Sequence, residues 1–144
     1  ADNGDIKVLE FNARLGDPET QSILRRLDGD LLDMLFALAN KKDSPTVSIS
    51  EKKAVCVVMA AKGYPEKPIC GDIITGIDEA EKIEDCLVFE AGTAIKSDRL
   101  VTNGGRVLNV TALGKTKDEA LTKAYQAIKK INFEGCQYRK DIGE

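Results

Sequence analysis

The sequence predicts an α+β chain in two unequal blocks, a strand with two helices followed by mainly strands with one long helix. Three observations carry this. Apolar residues recur at helical spacing in Ile23, Leu24 and Leu27, and again in Leu31, Leu32, Leu35, Phe36 and Ala39. After Pro45 the texture changes to short apolar runs punctuated by glycine and proline, as strands and turns require. Near the C-terminus Thr116-Lys117-Asp118-Glu119 has the form of a capping box, in which Thr116 and Glu119 satisfy amides at a helix start.

Taken in order, Ile6 to Asn12 alternates in part and reads as a strand. A turn follows, then a helix. Asp17 suits its N-cap, Pro18 its first position and Glu19 the positive end of its dipole. Asp28-Gly29-Asp30 interrupts the apolar face before a second helix from about Leu31 to Asn40. Lys41-Lys42-Asp43-Ser44-Pro45 breaks that helix and is the expected boundary, dividing the chain into residues 1–45 and 46–144. Ala54 to Ala61, a short stretch within Ile69 to Ile77, and Leu87 to Ala91 read as strands. Arg99 to Thr102 and Arg106 to Leu113 flank Asn103-Gly104-Gly105, which resembles a type I′ hairpin turn. The last helix should bury Leu121, Ala124, Tyr125, Ile128 and Ile131. The second block can form an α+β domain of its own. The first is too small to cover both faces of its elements and is expected to be the edge of a larger domain.

Composition excludes several classes of function. A chain of 144 residues with 42% hydrophobic and 31% charged residues has the make-up of a globular protein. A net charge of −3 and the lack of a basic run interleaved with aromatics argue against nucleic acid as a partner. No apolar stretch is long enough to span a bilayer, and the polar N-terminus has no apolar signal region, so a cytoplasmic location is expected. Cys56, Cys70, Cys86 and Cys136 lack the CxxC spacing of zinc sites and are expected to be reduced thiols, Cys56 buried. With no histidine, Ser-His and Cys-His nucleophile pairs and imidazole-ligated metals are out of reach. Chemistry here must use carboxylates, amides, Lys, Arg, backbone amides or a hard cation.

Glu10, Asn12 and Arg14 stand two residues apart, which in an extended chain puts them on one face. A carboxylate and a neutral carbonyl suit Mg²⁺, a cation that often shares its shell with phosphates. Arg14 adds a planar fork for phosphate or carboxylate. A solvated polar strand face is the competing reading of so short a pattern. Asn103-Gly104-Gly105-Arg106 could likewise offer backbone amides and a cation to a phosphate, or be a hairpin turn only.

VLEFNARLGDPETQ, VVMAAKGYP, FEAGTA, VTNGGRVLNVTALGKT and FEGCQYRKDIG resemble, in the same order and over nearly the whole chain, the C-terminal portion of the glycinamide ribonucleotide synthetase (phosphoribosylamine–glycine ligase) family of the ATP-grasp superfamily. The resemblance implies the C-terminal edge of an ATP-grasp domain followed by a small, mainly β domain with one long helix. It implies a ligase of purine synthesis that joins glycine to 5-phosphoribosylamine through a glycyl phosphate, at the expense of ATP. Glu10 and Asn12 would bind Mg²⁺ or Mn²⁺. Arg14 would orient the glycine carboxylate, with Asp17 and Glu19 positioning it or the metal shell. Asn103, Gly104, Gly105 and Arg106 would contribute to substrate binding. The ATP lid and the N-terminal domain precede this segment in the family, so the N-terminal remainder of the enzyme is an expected partner and this polypeptide alone should not turn over ATP. A non-catalytic interaction module, or an ATP-grasp ligase for another carboxylate, are the alternatives.

Overall fold

The computed structural model describes residues 8–144. Its centre is an antiparallel three-stranded sheet in which β7 (Arg106–Gly114) runs between β3 (Lys53–Ala60) and β4 (Cys86–Glu90). The long helix α4 (Lys117–Ile128) packs on β7 and β3. Alternation along the strands decides which residues meet it. Val55, Val57 and Met59 of β3 and Leu108, Val110 and Ala112 of β7 point one way, into one cluster with Ala120, Ala124, Ala127 and Ile128 of α4. Alanines let the helix approach closely, and Phe133 and Ile131 close the cluster beyond its end. Tyr125, expected inside, lies at the margin of that core, and the small residues Ala120 and Ala127 take the innermost places.

The helix starts as the capping motif predicts. Thr116 Oγ1 accepts from Glu119 N at 3.1 Å. The reciprocal bond differs, since the Glu119 carboxylate accepts from the Lys115 amide at 2.8 Å. A separate two-stranded ladder joins β5 (Thr93–Lys96) to β6 (Arg99–Thr102). Strand β6 therefore pairs with β5 and not with β7, and Asn103-Gly104-Gly105 is not the turn of a β6–β7 hairpin. Neither glycine has a positive φ. They are needed for close approach: a Cβ on Gly104 would lie 2.9 Å from Gly92 Cα, and one on Gly105 would lie 2.5 Å from the Tyr64 ring. Within Ile69 to Ile77 only isolated bridges form, Ile73 to Val101 and Thr75 to Asn132, ahead of the short helix α3 (Ile77–Glu81).

The N-terminal block is more open. Val8 to Asn12 has no regular structure and is exposed, which corrects the expected strand; Ile6 and Lys7 lie outside the described residues. A strand needs a neighbour for its backbone groups, and none of the described strands pairs with this segment. Helix α1 (Glu19–Leu24) begins after Pro18, and its N-cap makes no side-chain bond, so Asp17 does not cap it. Leu27 leaves the helix and joins β1 (Leu27–Asp28), paired with β2 (Ser48–Ile49). Helix α2 (Leu31–Ala39) is capped by Asp30, whose carboxylate accepts from Asp33 N at 2.9 Å. Its apolar positions face outward; Leu32, Leu35, Phe36 and Leu38 are exposed and only Ala37 is buried.

Candidate functional site

Helix α1 lies against β3 and β7 on the sheet face opposite α4. The thiol of Cys56 belongs to that face by alternation. Burial first, and the nearby Asp17 charge second, push it up to about 12. Burial alone takes Cys136 to about 11. All four cysteines are free, and these two are too protonated to be nucleophiles.

Along the outer edge of α1 the chain from Glu10 to Gln21 curls around an open cavity of about 630 Å³. Glu10, Asn12, Arg14, Asp17 and Glu19 all line it, as do Thr20, Gln21 and Arg106. Glu10, Asn12 and Arg14 therefore meet at one cavity, although the segment is not the strand that the i, i+2, i+4 spacing was read on. Arg14 Nη1 stands 3.7 Å from Glu19 Oε1. Asp17 serves a different cation. Its carbonyl accepts from Arg106 Nη1 at 3.1 Å, its Oδ2 lies 3.2 Å from Arg106 Nη2, and its Oδ1 accepts from Gln21 Nε2 at 2.8 Å. Asp17 is therefore fully engaged by residues 21 and 106, which explains why it does not cap the helix.

Arg106 reaches the cavity because of a register shift. Met59 pairs with Leu108 but Ala60 pairs with Arg106, leaving Val107 as an extra residue at the end of β7. Such a bulge re-aims the neighbouring side chain. Asn103, Gly104 and Gly105 do not line this cavity. The Asn103 amide is occupied by Gly92 O at 2.7 Å, and Gly105 O accepts from Ala61 N at 2.9 Å. Gln21 was not foreseen as a site residue; its i+4 spacing from Asp17 on a helix start was the available signal.

The donor set is oxygen-rich and suits a hard cation. Glu10 supplies a carboxylate and Asn12 an amide carbonyl, with Asp17 and Glu19 on the same wall. Among the described residues no three His, Cys, Asp or Glu side chains are close enough to hold a metal alone. Mg²⁺ normally takes one or two carboxylates and completes its shell from phosphates and water, so the set fits a shared site.

Elsewhere, Asp85 ties the blocks together. Lys52 Nζ donates to it at 2.9 Å and Lys123 Nζ at 3.2 Å, while its carbonyl accepts from Arg25 Nη2 at 2.7 Å. The Lys52 hydrogen bond, with help from Lys123, holds the Asp85 carboxyl below the usual aspartate range. Arg25 follows directly on α1, so this contact fixes the far end of the helix that bears Glu19 and Gln21. Among the described residues, no helix is long and apolar enough to cross a membrane.

Comparison with known proteins gives a consistent set of relatives. A family model described as phosphoribosylglycinamide synthetase, C domain, matches residues 54–144. The phosphoribosylamine–glycine ligase of Neisseria meningitidis serogroup B is 51% identical over 144 residues, covering 99% of this chain and 34% of that protein. The Synechocystis protein of the same name is 48% identical over 142 residues, covering 97% of this chain and 34% of that one. The crystal structure of phosphoribosylamine–glycine ligase from Thermotoga maritima superposes with a TM-score of 0.79 at 42% identity, over 96% of this chain and 34% of that one. The chain spans about a third of the length of the curated relatives it matches.

Proposed function

Because the chain belongs to the phosphoribosylglycinamide synthetase C-domain family, we propose that it forms part of an ATP-dependent ligase that joins glycine to 5-phosphoribosylamine in purine synthesis. Residues 1–45 supply the C-terminal part of an ATP-grasp domain and residues 46–144 the C-terminal domain. The observation that carries the reading is the convergence of Glu10, Asn12, Arg14, Asp17, Glu19 and Arg106 on one cavity.

In this reading ATP phosphorylates the glycine carboxylate. The amine of phosphoribosylamine then attacks the carbonyl of the glycyl phosphate, releasing phosphate and giving glycinamide ribonucleotide. Glu10 and Asn12 would hold Mg²⁺ or Mn²⁺, which would supply positive charge to offset that of the ATP phosphates. Arg14, steadied by Glu19, orients the glycine carboxylate and offsets charge on the acyl phosphate. Asp17 holds Arg106 at the rim, where the second substrate must approach. The relatives are about three times as long as this chain, and the part of the enzyme that corresponds to their N-terminal remainder is the proposed partner that completes the site. The exposed apolar side of α2 supports the same reading, since it offers that partner a surface. A cytoplasmic location goes with this role.

The test is made in a full-length ligase carrying these residues. Glu10→Gln or Asn12→Ala should lower turnover on the order of a hundredfold at saturating Mg²⁺. Unchanged turnover rejects the metal role. Glycine-dependent ADP release by the 144-residue chain alone would overturn the requirement for a partner.

A further inference from the structure

A separate cavity, of about 560 Å³, lies at the opposite end of β7 from Arg106. Nine residues of strand put those two ends roughly 30 Å apart. The cavity is lined by Arg26, Lys115 and the run from Ile49 to Lys53. Four of these side chains are cationic and one, Glu51, is anionic, in a chain whose net charge is −3. The positive charge gathered here runs against the balance of the whole molecule.

The fold builds this corner from three directions. Ser50 N donates to Arg26 O at 2.8 Å, which extends the β1–β2 ladder by one step. Arg26 Nε and Nη2 both donate to Ser50 O, at 3.2 and 2.9 Å. That fixes the guanidinium plane, and Nη1 makes no hydrogen bond among the described residues. Lys52 N donates to Ser50 Oγ at 3.2 Å in the turn that leads into β3. Lys53 pairs with Gly114, and Lys115 comes next in the chain, so these two lysines issue from the same end of the β3–β7 ladder.

Lys52 is committed to Asp85, whose two oxygens accept from its Nζ at 2.9 and 3.0 Å. Arg26, Lys53 and Lys115 have no ion pair among the described residues. Three cations without partners thus share a concave wall with one carboxylate, and a cleft lined by one sign of charge concentrates counter-ions. The fixed fork of Arg26 matches phosphate oxygens, the two ammonium groups add rotatable donors, and Ser50 Oγ still has a proton to give. The cations come from separate elements, so they suit an extended anion better than a point charge. The volume is in the range that small-molecule sites use. Ile49 is the one apolar residue on the wall, and no aromatic face is offered to a base.

We propose that this cavity binds an oligophosphate, a chain of two or three linked phosphate groups recognised without a base, through Arg26, Lys53, Lys115 and Ser50 Oγ. The site shares no residue with the first cavity and takes no part in the reaction read there. A bound anion bridges the β1–β2 ladder, through Arg26, to the end of the β3–β7 sheet, through Lys53 and Lys115.

The experiment is a titration of the chain with pyrophosphate, tripolyphosphate and orthophosphate at fixed ionic strength and without metal, followed by amide NMR shifts and calorimetry. Pyrophosphate and tripolyphosphate should bind saturably and shift the amides of Arg26, Ser50 to Lys53 and Lys115. Orthophosphate should bind about tenfold or more weakly. The double variant Lys53→Gln, Lys115→Gln changes two exposed side chains, so it should keep the fold and weaken pyrophosphate about tenfold or more. Lys96→Gln, equally exposed on β5 and outside this cavity, should leave the affinity unchanged. Equal affinity in the double variant, shifts that never saturate, or an equal loss in Lys96→Gln would overturn the site. Orthophosphate binding as tightly as pyrophosphate would overturn the oligophosphate assignment. None of these arms uses glycine, nucleotide or turnover, so they fail or succeed independently of the Glu10 and Asn12 test.

Discussion

Helices α2 and α4 have opposite fates for the same kind of sequence signal. Both carry apolar residues at helical spacing, and both are capped by a side chain three residues before the amide it accepts from, Asp30 to Asp33 and Thr116 to Glu119. Helix α2 is the more apolar by composition, with six of its nine residues Leu, Met or Phe. Yet α4 buries Ala120, Ala124, Ala127 and Ile128, while α2 buries Ala37 alone. The difference teaches that periodicity specifies a helix and a face, whereas burial depends on what lies opposite. The three-stranded sheet lies opposite α4; α2 has no such layer among the described residues.

That contrast can be broken most directly in the core. Leu108→Ala removes a fully buried side chain from the β7–α4 contact and should cost about 2–5 kcal/mol, read as a lower denaturant midpoint. A loss below 1 kcal/mol would mean that the core is loosely packed and the contrast with α2 is false.

A smaller effect is expected at the charged cluster of Asp85 beside α4. Asp85→Asn weakens the hold of Lys52 and Lys123 and should cost about 1 kcal/mol, since water reaches part of the cluster. The folded carboxyl titrates below its unfolded value, so its contribution is present above about pH 4 and is lost as pH falls through the folded value. The variant should therefore lose less stability than the parent on acidification below that point. Parallel acid profiles of unfolding free energy would show that the ion pairs of the Asp85 carboxylate with Lys52 and Lys123 contribute nothing to stability.

The smallest effect belongs to α2. Phe36→Ser replaces an exposed ring and should change the stability of this chain by no more than about 0.5 kcal/mol. In a full-length ligase the same change should cost more, because the proposed partner covers the helix. Equal, negligible effects in both settings would leave the apolar face of α2 without a role.

Much of the fold was legible because its signals are local. The apolar run in β3, the Thr116 cap and the helix break after Asn40 each depend on residues within a few positions. Glu10, Asn12 and Arg14 line one cavity although their segment forms no strand. The hairpin expected at Asn103 to Gly105 was misread because two adjacent glycines signal either positive φ or close contact, and only the position of Gly92 and Tyr64 distinguishes them.

By itself, then, the sequence determined the α+β class, the start of each capped helix, the exclusion of imidazole chemistry by the lack of histidine, and membership of a family through five ordered motifs. Tertiary structure decided the partners. It gave β6 to β5, took Asp17 from a helix cap to the guanidinium of Arg106, and brought that arginine, 89 positions away, to the rim of the first cavity. The physical reason is range. Capping and periodicity are settled within one or two turns of chain, but which strand finds which neighbour, and which cation meets which carboxylate, is settled only when the β3–β7–β4 sheet closes and its bulge turns Arg106 toward α1.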